Sequence, residues 1–125
     1  MQKDSLKGGN MNKCARYFFA EQGVEATSFV CCGYECCVIL RTHMVRPFYC
    51  GYVAIPKDHP LAKDIYEEKD SLDVYGGVTF ARYVDDLLIV GWDDAHRSYM
   101  NRLCKNESRA VRETQKLAKQ LRDYA

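Results

Sequence analysis

Residues 75–96, YGGVTFARYVDDLLIVGWDDAH, decide the predicted fold of this 125-residue chain. Two short apolar runs, 78–81 and 87–90, lie before and after a polar segment at 84–86. Short runs of β-branched and aromatic residues that are separated by turn-forming residues are typical of a β-hairpin. The stretch therefore predicts two antiparallel strands, with a glycine pair at the entrance and an acidic cluster at the exit.

The flanking sequence supplies further strands and two helices. Residues rich in β-branched and aromatic side chains predict strands over 35–42 and 48–55, and a less regular strand over 28–32. Apolar residues at helical spacing predict a short helix over 11–22 and an amphipathic C-terminal helix over 106–124. Because no βαβ alternation is present, the predicted class is α+β. We expect an antiparallel sheet of four or five strands packed against the C-terminal helix, with a short N-terminal helix.

Length and composition predict one globular domain over residues 1–125, with the polar residues 1–10 as a flexible arm. The chain has 47% hydrophobic and 28% charged residues, as folded proteins do. Its net charge of +1 argues against general nucleic-acid binding, which needs a basic surplus. No apolar run reaches membrane-spanning length and no secretory signal is visible, so a cytoplasmic location without membrane contact is expected.

The cysteines are numerous, and their role is open. Seven cysteines without an export signal favour reduced thiols that serve as small hydrophobic residues. Segment 31–37 contains the pattern CCxxxCC, which departs from the CxxC spacing of zinc sites. Zinc binding and disulfide formation are the alternatives. No cofactor is predicted.

Tyr83-Val84-Asp85-Asp86 resembles the YxDD signature of reverse transcriptases. In those enzymes a hairpin presents paired carboxylates that bind two magnesium ions for phosphoryl transfer. That chemistry needs a third carboxylate from an earlier strand, and the sequence shows no matching acidic strand motif. The preferred interpretation is a polar hairpin turn, because Asp tolerates turn conformations.

Residues with the chemistry of ligand binding lie at the two ends of the hairpin. The backbone N–H groups of Gly76 and Gly77 can surround a phosphate, and the rings of Tyr75 and Trp92 can stack on a base. The alternative for these residues is a hairpin-entry turn and ordinary core packing. The predicted ligand-binding residues are Tyr52, His59, Tyr75, Gly76, Gly77, Thr79, Trp92, Asp93 and His96.

An acidic cluster with a histidine follows the second strand of the hairpin. Asp93, Asp94 and His96 can share a divalent metal, or a carboxylate can orient the imidazole for acid–base chemistry. A complete metal site would need a further ligand, such as His43 or His59. The alternative is structural, with Asp93 as a cap of the next segment and His96 as a hydrogen-bonded strand-end residue.

Three segments occur in an order that resembles a group of small bacteriophage and prophage proteins. Residues 51–61, 76–80 and 91–96 read GYVAIPKDHPL, GGVTF and GWDDAH. That group has the segments GYV-x-[VI]-P-x-x-HPL, HGG-[ILV]-T-[YF] and G-[FW]-D-x-x-H, followed by a C-terminal helix. The resemblance covers residues 50–122 and departs at Tyr75, where the group has histidine. It implies a phage or mobile-element origin.

We expect a binding protein rather than an enzyme, because no strong catalytic constellation is present. The leading hypothesis is a phage accessory protein that counters host antiviral defence in the host cytoplasm. It would sequester a nucleotide immune signal or block a host defence protein. One alternative is an anti-CRISPR inhibitor that acts by direct protein–protein contact. Another is a metal-dependent hydrolase that uses Asp93, Asp94 and His96. A homo-oligomer is compatible with each.

Overall fold

The computed structural model describes residues 12–19, 24–42, 47–94 and 106–124. The elements in chain order are α1 (Lys13–Phe19), β1 (Val24–Cys31), β2 (Tyr34–Arg41), β3 (Phe48–Pro56), a 3-10 turn (Ala62–Asp64), α2 (Ile65–Glu68), a second 3-10 turn (Lys69–Ser71), β4 (Phe80–Val84), β5 (Leu87–Asp93) and α3 (Glu107–Tyr124). The predicted arm over the first ten residues lies outside the described residues. None of the described helices is both long and apolar enough to cross a lipid bilayer.

The five strands form one antiparallel sheet in the order β1-β2-β3-β5-β4. β1 pairs with β2 and β4 pairs with β5, so β3 lies at the centre between β2 and β5. Successive side chains of a strand point to opposite faces of a sheet, and a helix packs on each face here. The predicted α+β class is confirmed. The C-terminal helix α3 covers one face, and the short N-terminal helix α1 covers part of the other.

The larger core lies between α3 and the sheet. Trp92 near the end of β5 is fully buried there, beside apolar side chains of β3 and β5. The helix contributes a buried stripe at helical spacing, formed by Ala110, Thr114, Leu117, Ala118 and Leu121. The sequence predicts this stripe with Val111 in place of Ala110, and Val111 is half-buried against the same core. The segment between β3 and β4 adds further buried side chains to this core, which are Leu61, Ala62, Ile65, Leu72, Val74 and Val78.

A smaller core lies between α1 and the opposite face of the sheet. Cys14, Ala15 and Phe18 form the inward side of the helix, at the spacing that the sequence predicts. The Phe18 ring packs on the Tyr52 ring, with centroids 4.3 Å apart. Asn12 caps the helix, because its Oδ1 accepts a hydrogen bond from the Ala15 N–H at 2.9 Å. α1 therefore packs across β1, β2 and β3.

Two tight turns close the hairpins. Cys32 and Gly33 connect β1 to β2 with φ angles of 58° and 80°, and a type I′ turn requires positive φ at both central residues. Asp85 and Asp86 connect β4 to β5; Asp85 has φ 55°, and both carboxylates are exposed. The interpretation of the YVDD segment as a hairpin turn is confirmed.

Gly51 of β3 allows α3 to lie close to the sheet. A Cβ atom at this position would overlap the Thr114 hydroxyl oxygen and the indole nitrogen of Trp92, which are fully buried. We predict that Gly51→Ala lowers the free energy of unfolding by roughly 3 kcal/mol, because overpacking a core displaces its neighbours. Urea denaturation followed by circular dichroism measures this loss.

Gly77→Ala is the matched control for that prediction. Gly77 has φ 81°, but no atom lies within 4 Å of the position that a Cβ would take. Its substitution should cost only the left-handed backbone penalty, about 1 kcal/mol. Equal losses in the two variants would contradict the proposed steric role of Gly51.

Candidate functional site

Two of the predicted ligand-binding aromatics are buried on opposite faces of the sheet. Trp92 is fully buried under α3, and its Nε1 donates a hydrogen bond to Thr114 Oγ1 at 3.0 Å. Tyr52 is 3% exposed under α1, where its hydroxyl accepts a hydrogen bond from Arg41 Nη2 at 3.3 Å. Burial raises the pKa of the Tyr52 hydroxyl. Neither ring presents a face on which a base could stack.

His59 joins the segment after β3 to the end of α3. Its Nδ1 accepts a hydrogen bond from the Leu61 N–H at 3.0 Å, so the proton of the neutral ring is on Nε2. Nε2 then donates to the Leu121 carbonyl oxygen at 2.9 Å. The imidazole is buried and both nitrogens are used, which is the arrangement of a structural histidine. His59 and Trp92 therefore contact α3 at different points, Leu121 and Thr114, which are two helical turns, about 10 Å, apart.

The two ends of the β4–β5 hairpin meet at Thr79 and Asp93. Thr79 Oγ1 donates a hydrogen bond to Asp93 Oδ2 at 2.6 Å, and the Thr79 N–H donates to the Gly91 carbonyl at 2.9 Å. These bonds extend the pairing of β4 and β5 beyond the regular ladder. Asp93 also faces Cys50, its partner in the β3–β5 register.

The glycine pair forms a turn beside α3. The Gly77 N–H donates to the Val74 carbonyl at 2.8 Å, and both glycines have positive φ, 77° at Gly76 and 81° at Gly77. The Tyr75 N–H donates to Glu113 Oε2 at 2.5 Å, which attaches this turn to the helix. The Gly77 N–H is thus hydrogen-bonded to the Val74 carbonyl and does not point at a ligand. The carboxylate of Glu113 lies beside the turn.

The nine predicted residues therefore do not form one surface among those that the structure describes. Thr79 and Asp93 are adjacent, and Tyr75 with the glycine pair forms a turn on α3. His96 lies outside the described residues. Within the described ranges, no three His, Cys, Asp or Glu side chains are placed to hold a metal ion. The hydrolase hypothesis gains no support from Asp93 and Asp94.

The thiol of Cys50 lies on the α1 face of the sheet, beside the guanidinium of Arg41. Burial raises the pKa of the Cys50 thiol from 9.0 to about 11, although the adjacent Arg41 guanidinium lowers it. The folded protein therefore holds this proton more tightly than the unfolded chain does. The thiol contributes its full stability below pH 9, and this stability is lost as the pH rises toward 11.

We predict that Cys50→Ala flattens the alkaline decline in stability. Between pH 9 and 11, the free energy of unfolding of the unmodified protein should fall more steeply than that of the variant, by about 1.4 kcal/mol per pH unit. Urea denaturation at several pH values measures both slopes, and the other titrating groups are common to both proteins. Parallel curves would show that the Cys50 thiol titrates normally in the fold.

A cleft of about 370 Å³ opens between α1 and the β4–β5 hairpin. It exists because the seven-residue helix α1 packs on β1, β2 and β3 and does not extend over the β4–β5 hairpin. We call it the α1–hairpin cleft, and its lining residues are Lys13, Arg16, Tyr17, Val84, Asp85, Leu87 and Ile89. The volume is within the range of small-molecule sites.

The two walls of the α1–hairpin cleft differ in chemistry. The helix wall carries the cations Lys13 and Arg16 together with the Tyr17 ring, and the hairpin wall is mainly apolar. Arg82 on β4 adds a third cation, because its Nη1 donates a hydrogen bond to the Tyr17 hydroxyl at 3.1 Å. Tyr17 is 37% exposed and contacts Phe18 edge to face, with ring centroids 4.9 Å apart. The cleft thus combines positive charge, an accessible aromatic ring and an apolar surface.

The sequence contained one indication of this cleft. Helical spacing that places Cys14, Ala15 and Phe18 inward leaves Lys13 and the pair 16–17 on the other sides of the helix. What the spacing does not show is which part of the sheet these side chains face. About 70 residues separate the two walls in the sequence, so only the tertiary structure brings them together.

Comparison of the chain with protein-family models, curated proteins and solved structures finds no match.

Proposed function

We propose that the protein binds a small anionic ligand with a flat ring, of the nucleotide class, in the α1–hairpin cleft. The observation that carries this proposal is the position of Lys13, Arg16 and Tyr17 on one wall, opposite an apolar wall. A nucleotide needs both kinds of contact, since its phosphate is charged and its base is flat and partly apolar. In the setting of a phage infection, the protein would counter host defence by sequestering a nucleotide immune signal.

Each wall has a distinct role in this proposal. The ammonium of Lys13 and the guanidinium of Arg16 pair with phosphate oxygens, and charge-assisted hydrogen bonds of this kind are the strong ones. The base stacks on Tyr17 and lies against Leu87 and Ile89. Base–aromatic stacking contributes about 1–3 kcal/mol. The Asp85 carboxylate at the turn accepts a hydrogen bond from a ribose hydroxyl or an exocyclic amine.

Sequestration fits this cleft better than catalysis. Among the described residues that line it there is no serine, threonine, cysteine or histidine, so these residues offer no Ser, Thr or Cys nucleophile beside a histidine base. The carboxylate among the described lining residues, that of Asp85, stands on an exposed turn. A site of this composition can bind and retain a ligand without changing it. The resemblance to phage proteins supports the same biological role.

Calorimetric titration with cyclic oligonucleotides and with cyclic ADP-ribose species tests the proposal. We expect heat release and a thermal shift with at least one of these ligands. Affinity should fall as salt is raised, because the phosphate contacts are near the surface and are screened. Absence of heat and of a thermal shift with every member of the panel would overturn the proposal.

Charge reversal in the cleft should abolish most of the affinity. We predict that Arg16→Glu weakens binding at least tenfold, because a hydrogen bond to a charged group contributes about 1.5–3 kcal/mol. Lys63→Glu is the matched control, since it makes the same charge change on an exposed residue between β3 and β4. Equal weakening by both variants would indicate general electrostatic attraction rather than this site.

Stacking is tested separately at Tyr17. Tyr17→Ala should weaken binding about tenfold or more, whereas Tyr17→Phe, which keeps the ring, should retain most of the affinity. Tyr66→Ala removes another exposed tyrosine, on α2, and should leave the dissociation constant unchanged. The same panel of titrations measures all three variants. Retained affinity in Tyr17→Ala would exclude stacking on this ring.

A further inference from the structure

The thiols of Cys31 and Cys32 lie side by side at the tip of the β1–β2 hairpin. Their Sγ atoms are 3.7 Å apart, although they belong to consecutive residues. Consecutive residues of a regular strand point to opposite faces, which keeps their side chains apart. Here the chain leaves the strand at Cys32, whose φ of 58° turns its side chain toward that of Cys31.

Cysteine is an unusual residue for this backbone position. The first central residue of a type I′ turn is commonly Asn, Asp or Gly, because a left-handed conformation costs about 1–2 kcal/mol for most other residues. Because Cys32 keeps this unfavourable left-handed conformation in the hairpin turn, we infer that its side chain has a role there. The turn brings the thiols of Cys31 and Cys32 close together.

The surroundings of the pair differ from those of the other described cysteines. Cys31 and Cys32 are partly exposed, whereas the four others in the described ranges are buried, namely Cys14, Cys36, Cys37 and Cys50. Burial and the neighbouring Cys32 raise the pKa of the Cys31 thiol, and the cationic Lys119 and Arg122 of α3 act in the opposite direction. A soluble reagent can therefore reach this pair, and α3 supplies positive charge nearby.

We propose that Cys31 and Cys32 form a modification site, a vicinal dithiol that a small disulfide such as oxidised glutathione converts into an intramolecular disulfide. The site is distinct from the α1–hairpin cleft and does not depend on a ligand there. Sulfur atoms 3.7 Å apart must approach to about 2.05 Å, which requires side-chain rotation and adjustment of the turn. The Cys31 thiol packs against the larger core and donates to the Gln115 carbonyl oxygen of α3 at 4.0 Å, so formation of the disulfide must break this contact.

The reaction takes place in two exchange steps. In the first, one cysteine thiolate attacks a sulfur of oxidised glutathione, forms a mixed disulfide and releases one glutathione thiolate. In the second, the neighbouring cysteine thiolate attacks the protein sulfur of the mixed disulfide and releases the second glutathione thiolate. The protein loses two electrons and two protons, and the oxidant gains them as two molecules of glutathione.

Mass spectrometry of the full chain after exposure to oxidised glutathione tests this proposal. Remaining thiols are blocked with N-ethylmaleimide under denaturing conditions, and the tryptic peptide 17–41 is then sequenced by fragmentation. We expect residues 31 and 32 to have lost one hydrogen each and to carry no maleimide, while residues 36 and 37 are alkylated. Dithiothreitol should restore both thiols.

Cys32→Asn separates a specific pair from a merely reactive thiol. Asn tolerates positive φ, so the turn is kept while the second thiol is removed. In this variant Cys31 should accumulate a stable glutathione adduct, because no neighbour is present to displace it. In the unmodified protein that adduct should be at least tenfold less abundant.

Three results would overturn the proposal. The first is complete alkylation of both thiols after oxidation of the folded protein. The second is a disulfide between Cys14 and Cys37, whose buried Sγ atoms are 3.5 Å apart, formed in place of one between Cys31 and Cys32. The third is equal glutathione adduct in the unmodified protein and in Cys32→Asn.

Discussion

The close contact of α3 with the sheet at Gly51 is the constraint on which the larger core depends. Because β3 has no side chain at this point, the Trp92 indole fits beside it and its N–H meets the Thr114 hydroxyl. The hydrogen bond satisfies two polar groups that are cut off from water. With the helix at this distance, Leu117 and Leu121 reach the sheet and fill the remaining space. One glycine thus sets the separation of two layers.

The opposite face of the sheet is organised by a much shorter helix. α1 has seven residues and attaches through Cys14, Ala15 and Phe18, so it packs on β1, β2 and β3 and leaves part of the β4–β5 hairpin open. The α1–hairpin cleft is the direct result of this mismatch between a short helix and a five-stranded sheet. Its charge follows from α1 as well, because the helix directs Lys13 and Arg16 into the cleft.

The sequence predicts the elements well because their signals are local. The α3 stripe and the hairpin around Asp85 both follow from spacing and turn chemistry. Which of the predicted ligand-binding residues lie together does not follow from their order, because neighbours in the sequence are separated by the pleat of the sheet. Trp92 faces α3 and Asp93 faces the other side, so these two side chains of the motif lie on opposite faces of the sheet. The cleft combines Tyr17 with a distant hairpin, and no local pattern encodes that contact.

The two cores on the sheet differ in size, so the two helices that cover them are held to different extents. α1 is held by a small cluster of side chains, whereas α3 is held by the larger core and by the hydrogen bond from His59 to Leu121. The free energy needed to detach α1 is therefore well below that of global unfolding. We therefore expect amide hydrogens of α1 to exchange through this local opening, and those of the central strand β3 to exchange when the sheet itself unfolds. One wall of the cleft thus belongs to a helix held by the smaller core, and the other belongs to the sheet.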